Sequence, residues 1–353
     1  MKKFFSAAAL VALAAAPALA QSELDGTLAS LSAARGDDYV AKRDAAVKNL
    51  KTADLQAKLE TATWTDATFN DLAMATIVLA FQKDGDAVKK VYALDGLNEA
   101  VYTQWRIRRP DATRELNALA GRAVGPLLEL YLKTFDKYPG YSKTEAVAKA
   151  EKVALSIGIV VALGKVRHPA AIFVAKRMAN DANEPEGVRN QAIGALGVID
   201  TAASVAEIQA VHDAAATPAE LKLATLRGAA WSSQQTAFDL IAKDLESSDL
   251  GTRKQAAVAL GTFCSPMGWQ SRNDVVTGQN YRTQAAQKLV DALVADKLPR
   301  DTIVDQIGVI GHPSAKPLLQ AAETNTALTA EQRETAKQAL GRLEINIERN
   351  GGK

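Results

Sequence analysis

The sequence predicts an all-α fold, a solenoid of stacked antiparallel helix pairs. A ten-residue phrase recurs, as VRNQAIGALG at Val188–Gly197, TRKQAAVALG at Thr252–Gly261 and QRETAKQALG at Gln332–Gly341. Weaker copies are PRDTIVDQIG at Pro299–Gly308 and LSIGIVVALG at Leu155–Gly164. The closing glycines, Gly164, Gly197, Gly228, Gly261, Gly308 and Gly341, stand 33, 31, 33, 47 and 33 residues apart. A period of that length marks units that stack on one another. Only 5% of the 353 residues are aromatic and alanine is abundant, which suits closely packed helices better than sheets.

The first element is an export signal. Lys2 and Lys3 precede an apolar run from Phe4 to Ala16, and Ala18-Leu19-Ala20 has the small-x-small pattern of a cleavage site. The run is shorter than the ~20 apolar residues that span a bilayer. Residues 1–20 are therefore expected to be a signal peptide, cut after Ala20, and the protein to be periplasmic or secreted. Gln21 follows the cut, so the cysteine of a bacterial lipid anchor is missing. Without the leader, 40 basic residues balance 40 acidic ones. That neutrality argues against general nucleic-acid binding, which needs a basic footprint. No later segment reads as membrane-spanning. Cys264 is the single cysteine, so no internal disulfide is expected and stability must come from apolar packing.

Residues 21–140 carry amphipathic runs at Tyr39–Leu59, Phe69–Phe81 and Arg114–Lys133. They read as divergent helix pairs that cap the stack, because a terminal repeat has one face in water. A separate small helical domain is the alternative. Aromatics at Tyr131–Tyr141 are expected to pack the junction with the regular repeats, with Pro139-Gly140 as a turn.

The regular repeats occupy 141–345. In each phrase the apolar residues fall on one helical face, as at Val188, Ala192, Ile193 and Leu196, or Pro299, Ile303, Val304 and Ile307. The closing glycine is expected to end that first helix at positive φ. A second apolar helix follows, as in Ala170–Asn180 and Ala315–Glu323. His168-Pro169 and His312-Pro313 each lie four residues past a closing glycine. They read as turns, with the histidine as cap and the proline at the first helical position. Residues 346–353 are a short tail that is expected to fray.

These phrases and the GxxxHP turns resemble bacterial HEAT repeats, including the form related to phycobilisome-lyase repeats, over roughly Val153–Leu343. The resemblance implies a right-handed, armadillo-like helical superhelix that binds proteins. It also implies an inter-repeat hydrogen-bond ladder from an arginine eight residues before each closing glycine. Arg189, Arg253, Arg300 and Arg333 match, while Ser156 and Glu220 depart from the pattern. Arg227 stands where leucine is expected, so the Gly228 unit is degenerate.

Three places are candidate contacts. Gly261 to Gly308 is longer than its fellows, and the extra residues, about 265–281, carry Met267, Trp269, Arg272 and Tyr281, types enriched at interfaces. YTQWRIRR at Tyr102–Arg109 offers Trp105 and Arg106, either for stacking or as an ordinary charged helix face. The family geometry puts second helices on the concave side, with Lys176, Arg177, Glu207, Gln209, Asp239, Lys243 and Lys288 as contacts. Cys264, with no histidine close in sequence, reads as a small buried residue. HExxH, CxxC, GxSxG, GxxxxGK[ST] and GxGxxG are all missing from the sequence, so no catalytic, cofactor or metal residues are assigned. The expected function is a non-catalytic protein-binding scaffold, with a self-assembling structural protein and a lyase- or chaperone-like factor as alternatives.

Overall fold

The computed structural model describes residues 22–86, 120–133, 159, 162–164, 167–214, 217–265 and 275–349. Every regular element among them is helical. The chain divides into two compact units, Met1–Val174 and Ala175–Lys353. Among the described residues no helix is long and apolar enough to cross a membrane.

In the first unit, α1 (residues 22–33), α2 (Gly36–Asn49), α3 (Thr52–Thr61), α4 (Phe69–Lys83) and α5 (Val124–Lys133) surround a core centred on α4. The run Leu72–Val78 of α4 is apolar almost all round, and it packs against α2, α3 and α5. The α4–α5 contact is close because α5 places Gly125 there; a Cβ at that position would meet Ala80 Cβ at 2.5 Å. The amphipathic run expected over Tyr39–Leu59 is two helices, broken at Leu50 and Lys51. The run expected over Arg114–Lys133 ends in a 3-10 turn, Ala120–Ala123, followed by α5.

α6 (Pro169–Asn180) contains the division between the units. The second unit continues with α7 (Glu186–Ile199), α8 (Ala202–Asp213), α9 (Ala219–Ala229), α10 (Gln235–Asp244) and α11 (Leu250–Phe263). It ends with α12 (Val275–Val294), α13 (Arg300–Ile310), α14 (Ala315–Thr324) and α15 (Ala330–Arg349). These helices form two layers. First helices α7, α9, α11, α13 and α15 each pack on the next, and second helices α8, α10, α12 and α14 do the same. The chain alternates between the layers, so each pair buries its apolar stripe only by stacking, as the resemblance to HEAT repeats implies. Val188, Ala192, Ile193 and Leu196, the residues the periodicity placed on one face, are all fully buried.

The closing glycines do something other than expected. Gly197, Gly228, Gly261, Gly308 and Gly341 all lie inside their helices, and among the described residues the glycines at positive φ are Gly36 and Gly311. Asp200 (φ 57°) and Gly311 (φ 57°) provide the left-handed caps of α7 and α13 instead. What the repeated glycine provides is proximity. A Cβ on Gly197 would overlap the carbonyl oxygen of Gly228, and one on Gly228 would meet Ile193 O at 2.8 Å. Gly261 and Gly308 likewise receive Gln306 and Arg342 from the following first helix.

Three further expectations are corrected. The second helix after the long spacing starts at Val275, within the extra residues of about 265–281, so part of that extra sequence lengthens α12. Pro313 lies in the turn ahead of α14, whereas Pro169 does open α6. The last helix continues to Arg349, past the point where a tail was expected.

Candidate functional site

The second-helix layer of the Ala175–Lys353 unit is the candidate site. Each of its helices is amphipathic, with buried residues at helical spacing on one side: Val205, Ile208 and Val211 in α8; Phe238, Ile241 and Leu245 beside α10; Ala285, Leu289 and Leu293 in α12. The opposite side of each is exposed and polar. It carries Gln209 on α8, Asp239 and Lys243 on α10 and Lys288 on α12.

Of the seven second-helix residues picked from the sequence, these four are exposed. Lys176, Arg177 and Glu207 are half-buried. The structure brings two of them together: Lys176 Nζ lies 3.1 Å from Glu207 Oε1, tying α6 to α8. Lys243 reaches Asp213 at 3.9 Å and so links α10 to α8, a partner the sequence reading did not pick. Asp239 accepts a hydrogen bond from Gln235 at 2.7 Å, one turn back. Exposed pairs of this kind are each weak and position side chains more than they stabilise.

Tyr281 does not belong to the site. It is 4% exposed and packs in a core cluster, tilted against Phe238 and edge-on to Phe263, at centroid distances of 5.0 and 5.3 Å. A tyrosine in an insertion looks like a contact, but lengthening of α12 turned this one inward. Met267, Trp269, Arg272, Trp105 and Arg106 lie outside the described residues. Cys264 is fully buried, as expected.

The ladder arginines act on backbone ends. Arg189 Nε donates to Ala179 O at 3.0 Å. Arg253 donates to Ser247 O and Ser248 O of the preceding turn and to Lys297 O of the following repeat, at 2.8, 2.9 and 2.8 Å. Arg300 bonds Gln338 of the next first helix at 2.8 Å, and Arg333 bonds Leu328 O. Arg253 and Arg300 thus join successive repeats, whereas Arg333 closes its own turn.

His168 caps α6, whereas His312 braces the turn ahead of α14, whose N-cap is Ser314. Ala170 N donates to His168 Nδ1 at 3.1 Å, and His312 Nδ1 shares a 2.7 Å hydrogen bond with Ser314 Oγ. Burial holds both imidazoles below their ordinary pKa, and at His312 the Arg282 charge adds to the effect.

Two buried polar clusters escaped the sequence reading. In the first unit, Glu129 is fully buried and accepts from Tyr39 Oη at 2.9 Å and Arg43 Nη1 at 2.7 Å. Burial, and then the neighbouring carboxylate, drives the Tyr39 phenol far above its usual pKa. In the second unit, His212 Nδ1 lies 2.7 Å from Thr225 Oγ1, and its Nε2 lies 3.3 Å from Asp244 Oδ2. The ring and the carboxylate are thus close, yet no hydrogen bond of acceptable angle reaches Asp244 Oδ2. A hydroxyl, an imidazole and a carboxylate in line have the order of a nucleophilic triad. Thr225, however, is fully buried and donates to Lys222 O at 2.5 Å, so no substrate reaches its oxygen. The signal for both clusters was a polar residue on an apolar stripe: Glu129 within PLLELYL, and His212 one turn after Ile208.

A groove of roughly 390 Å³ lies between the end of α4 and the start of α5, lined by Thr76, Leu79, Lys83, Asp84, Gly121 and Arg122. Arg122 and Asp84 pair across it. Among the described residues no cluster of three or more His, Cys, Asp or Glu side chains is placed to hold a metal ion.

No protein-family model matches the chain, and no curated protein matches it. Among solved structures it is similar to human deoxyhypusine hydroxylase in complex with glycerol, at 15% identity and a TM-score of 0.24. The alignment covers 73% of this chain and 97% of that one. A likeness of that size carries nothing about activity.

Proposed function

We propose that the chain is a non-catalytic scaffold that binds a protein partner through the exposed side of its second helices. The observation that carries this reading is the repeated polar stripe on successive, directly stacked helices, with Gln209, Asp239, Lys243 and Lys288 on its exposed side. A series of like helices in register offers one extended surface assembled from many weak contacts, the way stacked repeats bind proteins. The sequence features Lys2-Lys3, Phe4–Ala16 and Ala18-Leu19-Ala20 support export, with cleavage after Ala20.

The test replaces these four residues one by one with a photo-crosslinking amino acid in cells of the source organism. A partner crosslinked from positions on at least two of the helices supports the reading. Crosslinks to another copy of the chain alone would replace it with self-assembly, and none at all would reject the face. Terminal sequencing of the protein from envelope and medium fractions tests export; a chain that keeps Met1 in the cytoplasm would overturn it.

A further inference from the structure

Successive first helices cover one another on one repeated side. Gly308 of α13 is met there by Arg342 and Asn346 of α15. Asn346 Nδ2 donates to Gly308 O at 2.7 Å, and Arg300 Nε donates to Gln338 Oε1 at 2.8 Å. Among the described residues the matching side of α15 is open. Gly341 holds the place in α15 that Gly308 holds in α13, and it is exposed and meets nothing within 4 Å.

That open side carries a row of charges. Arg333, Lys337, Gly341, Glu344 and Glu348 follow at steps of four, four, three and four, which keeps them on one helical face. Lys337, Gly341, Glu344 and Glu348 are exposed, Arg333 is half-buried, and Ile345 beside them is 46% exposed. Within the chain Arg333 donates to Leu328 O, and Glu344 pairs with Lys316 at 2.8 Å. The order of the signs does not serve α15 itself. Arg333 with Lys337 and Glu344 with Glu348 are like charges one turn apart, which weakens a helix. On this face the cations also precede the anions, against the helix dipole.

The same order is self-complementary. Two copies of the row, crossed antiparallel about a two-fold axis between Leu340 and Gly341, bring Lys337 of each copy opposite Glu344 of the other. They also bring Arg333 opposite Glu348, again in both directions, as a two-fold interface requires. At a rise of 1.5 Å per residue, these pairs lie about 5 and 11 Å from the axis. A shallow crossing of about 20° keeps both within side-chain reach, and a separation of about 8–10 Å admits alanine as well as glycine at the centre. A parallel crossing would set like charge on like.

We propose that this face of α15 docks a second copy of the same chain, forming a two-fold dimer held by reciprocal ion pairs around Gly341. The face belongs to the first-helix layer and is separate from the exposed side of the second helices.

The test uses the full chain and two single charge reversals at exposed positions, Lys337→Glu and Glu344→Lys. Sedimentation velocity should show the native chain dimerising with concentration, less so as ionic strength rises from about 0.01 M to about 0.15 M. Each reversal turns two ion pairs into like-charge contacts and should weaken the dimer about tenfold or more. An equimolar mixture of the two variants should dimerise again, because one is then acidic at both positions and the other basic at both. A native chain that stays monomeric up to about 100 µM overturns the proposal. So does a dimer that both reversals leave unchanged, and so does a mixture that stays apart. Circular dichroism separates loss of the dimer from loss of the fold. Should a variant not fold, hydrogen exchange of the native chain decides. Protection over 333–348 that rises with concentration supports the docking face, and exchange there that ignores concentration overturns it.

Discussion

At Gly197 and Gly228 the missing side chain sets the distance between two helices. Any Cβ there meets backbone, which cannot move aside as a flexible side chain can. Gly197→Ala and Gly228→Ala should each cost roughly 1–3 kcal/mol by overpacking. Gly341 holds the same place in its phrase but meets nothing within 4 Å. There the helix-propensity gain is unopposed, and Gly341→Ala should stabilise by about 0.5–1 kcal/mol. Chemical denaturation of the three variants checks the pattern, and a loss at Gly341 equal to that at Gly197 would refute it. Glu129 illustrates the opposite case, a residue whose side chain is indispensable. Glu129→Ala would leave Arg43, with 16% of its side chain exposed, without its buried partner. The expected cost is about 3–5 kcal/mol, and adding Arg43→Met should recover much of it. Urea unfolding of the single and double variants measures both effects.

At the scale of elements, side-chain or left-handed caps mark some of the helix ends. Thr201 and Ser204 form a capping box at α8, Asp249 accepts from Thr252 N at α11, and the left-handed Asp200 and Gly311 end α7 and α13. Arg253 couples two such ends, since one guanidinium serves carbonyls on both sides of its repeat. A lysine cannot reproduce that fork. Arg253→Lys should therefore destabilise by roughly 1–3 kcal/mol and raise hydrogen exchange in the turns at 245–249 and 295–299 together. Exchange changes confined to one turn would show that the arginine does not join them. The helix pairing was legible in advance because the 3.6-residue periodicity is local. The lengthening of α12 was not, because whether Tyr281 faces in or out depends on Phe238 and Phe263, which come from earlier helices.

At the scale of the molecule, the second unit is close to one-dimensional, because its helices touch mainly their neighbours in the stack. Damage should therefore stay local. Leu343 is fully buried in α15, and Leu343→Ala should cost about 2–5 kcal/mol. Native-state exchange should then rise across 300–349 while 186–263 keep their protection. Uniform loss over the unit would mean that the stack opens as one body. The candidate face shares this logic: no single repeat carries it, so single substitutions on it should weaken binding by small steps.

Local sequence patterning set the helical class, the repeat register, the buried stripe of each first helix and the cap at His168-Pro169. All of these follow from periodicity and turn chemistry within about ten residues, which no distant contact needs to supply. It located the glycines but not their task, since a helix-ending residue and a helix-touching residue look alike until the neighbouring helix is in place. Long-range packing is what makes Gly197 face Gly228, Tyr281 part of the core, Lys176 hold Glu207 and Glu129 gather Tyr39 and Arg43. Each of those depends on which residues from remote parts of the chain share a few ångströms, and packing sets that distance.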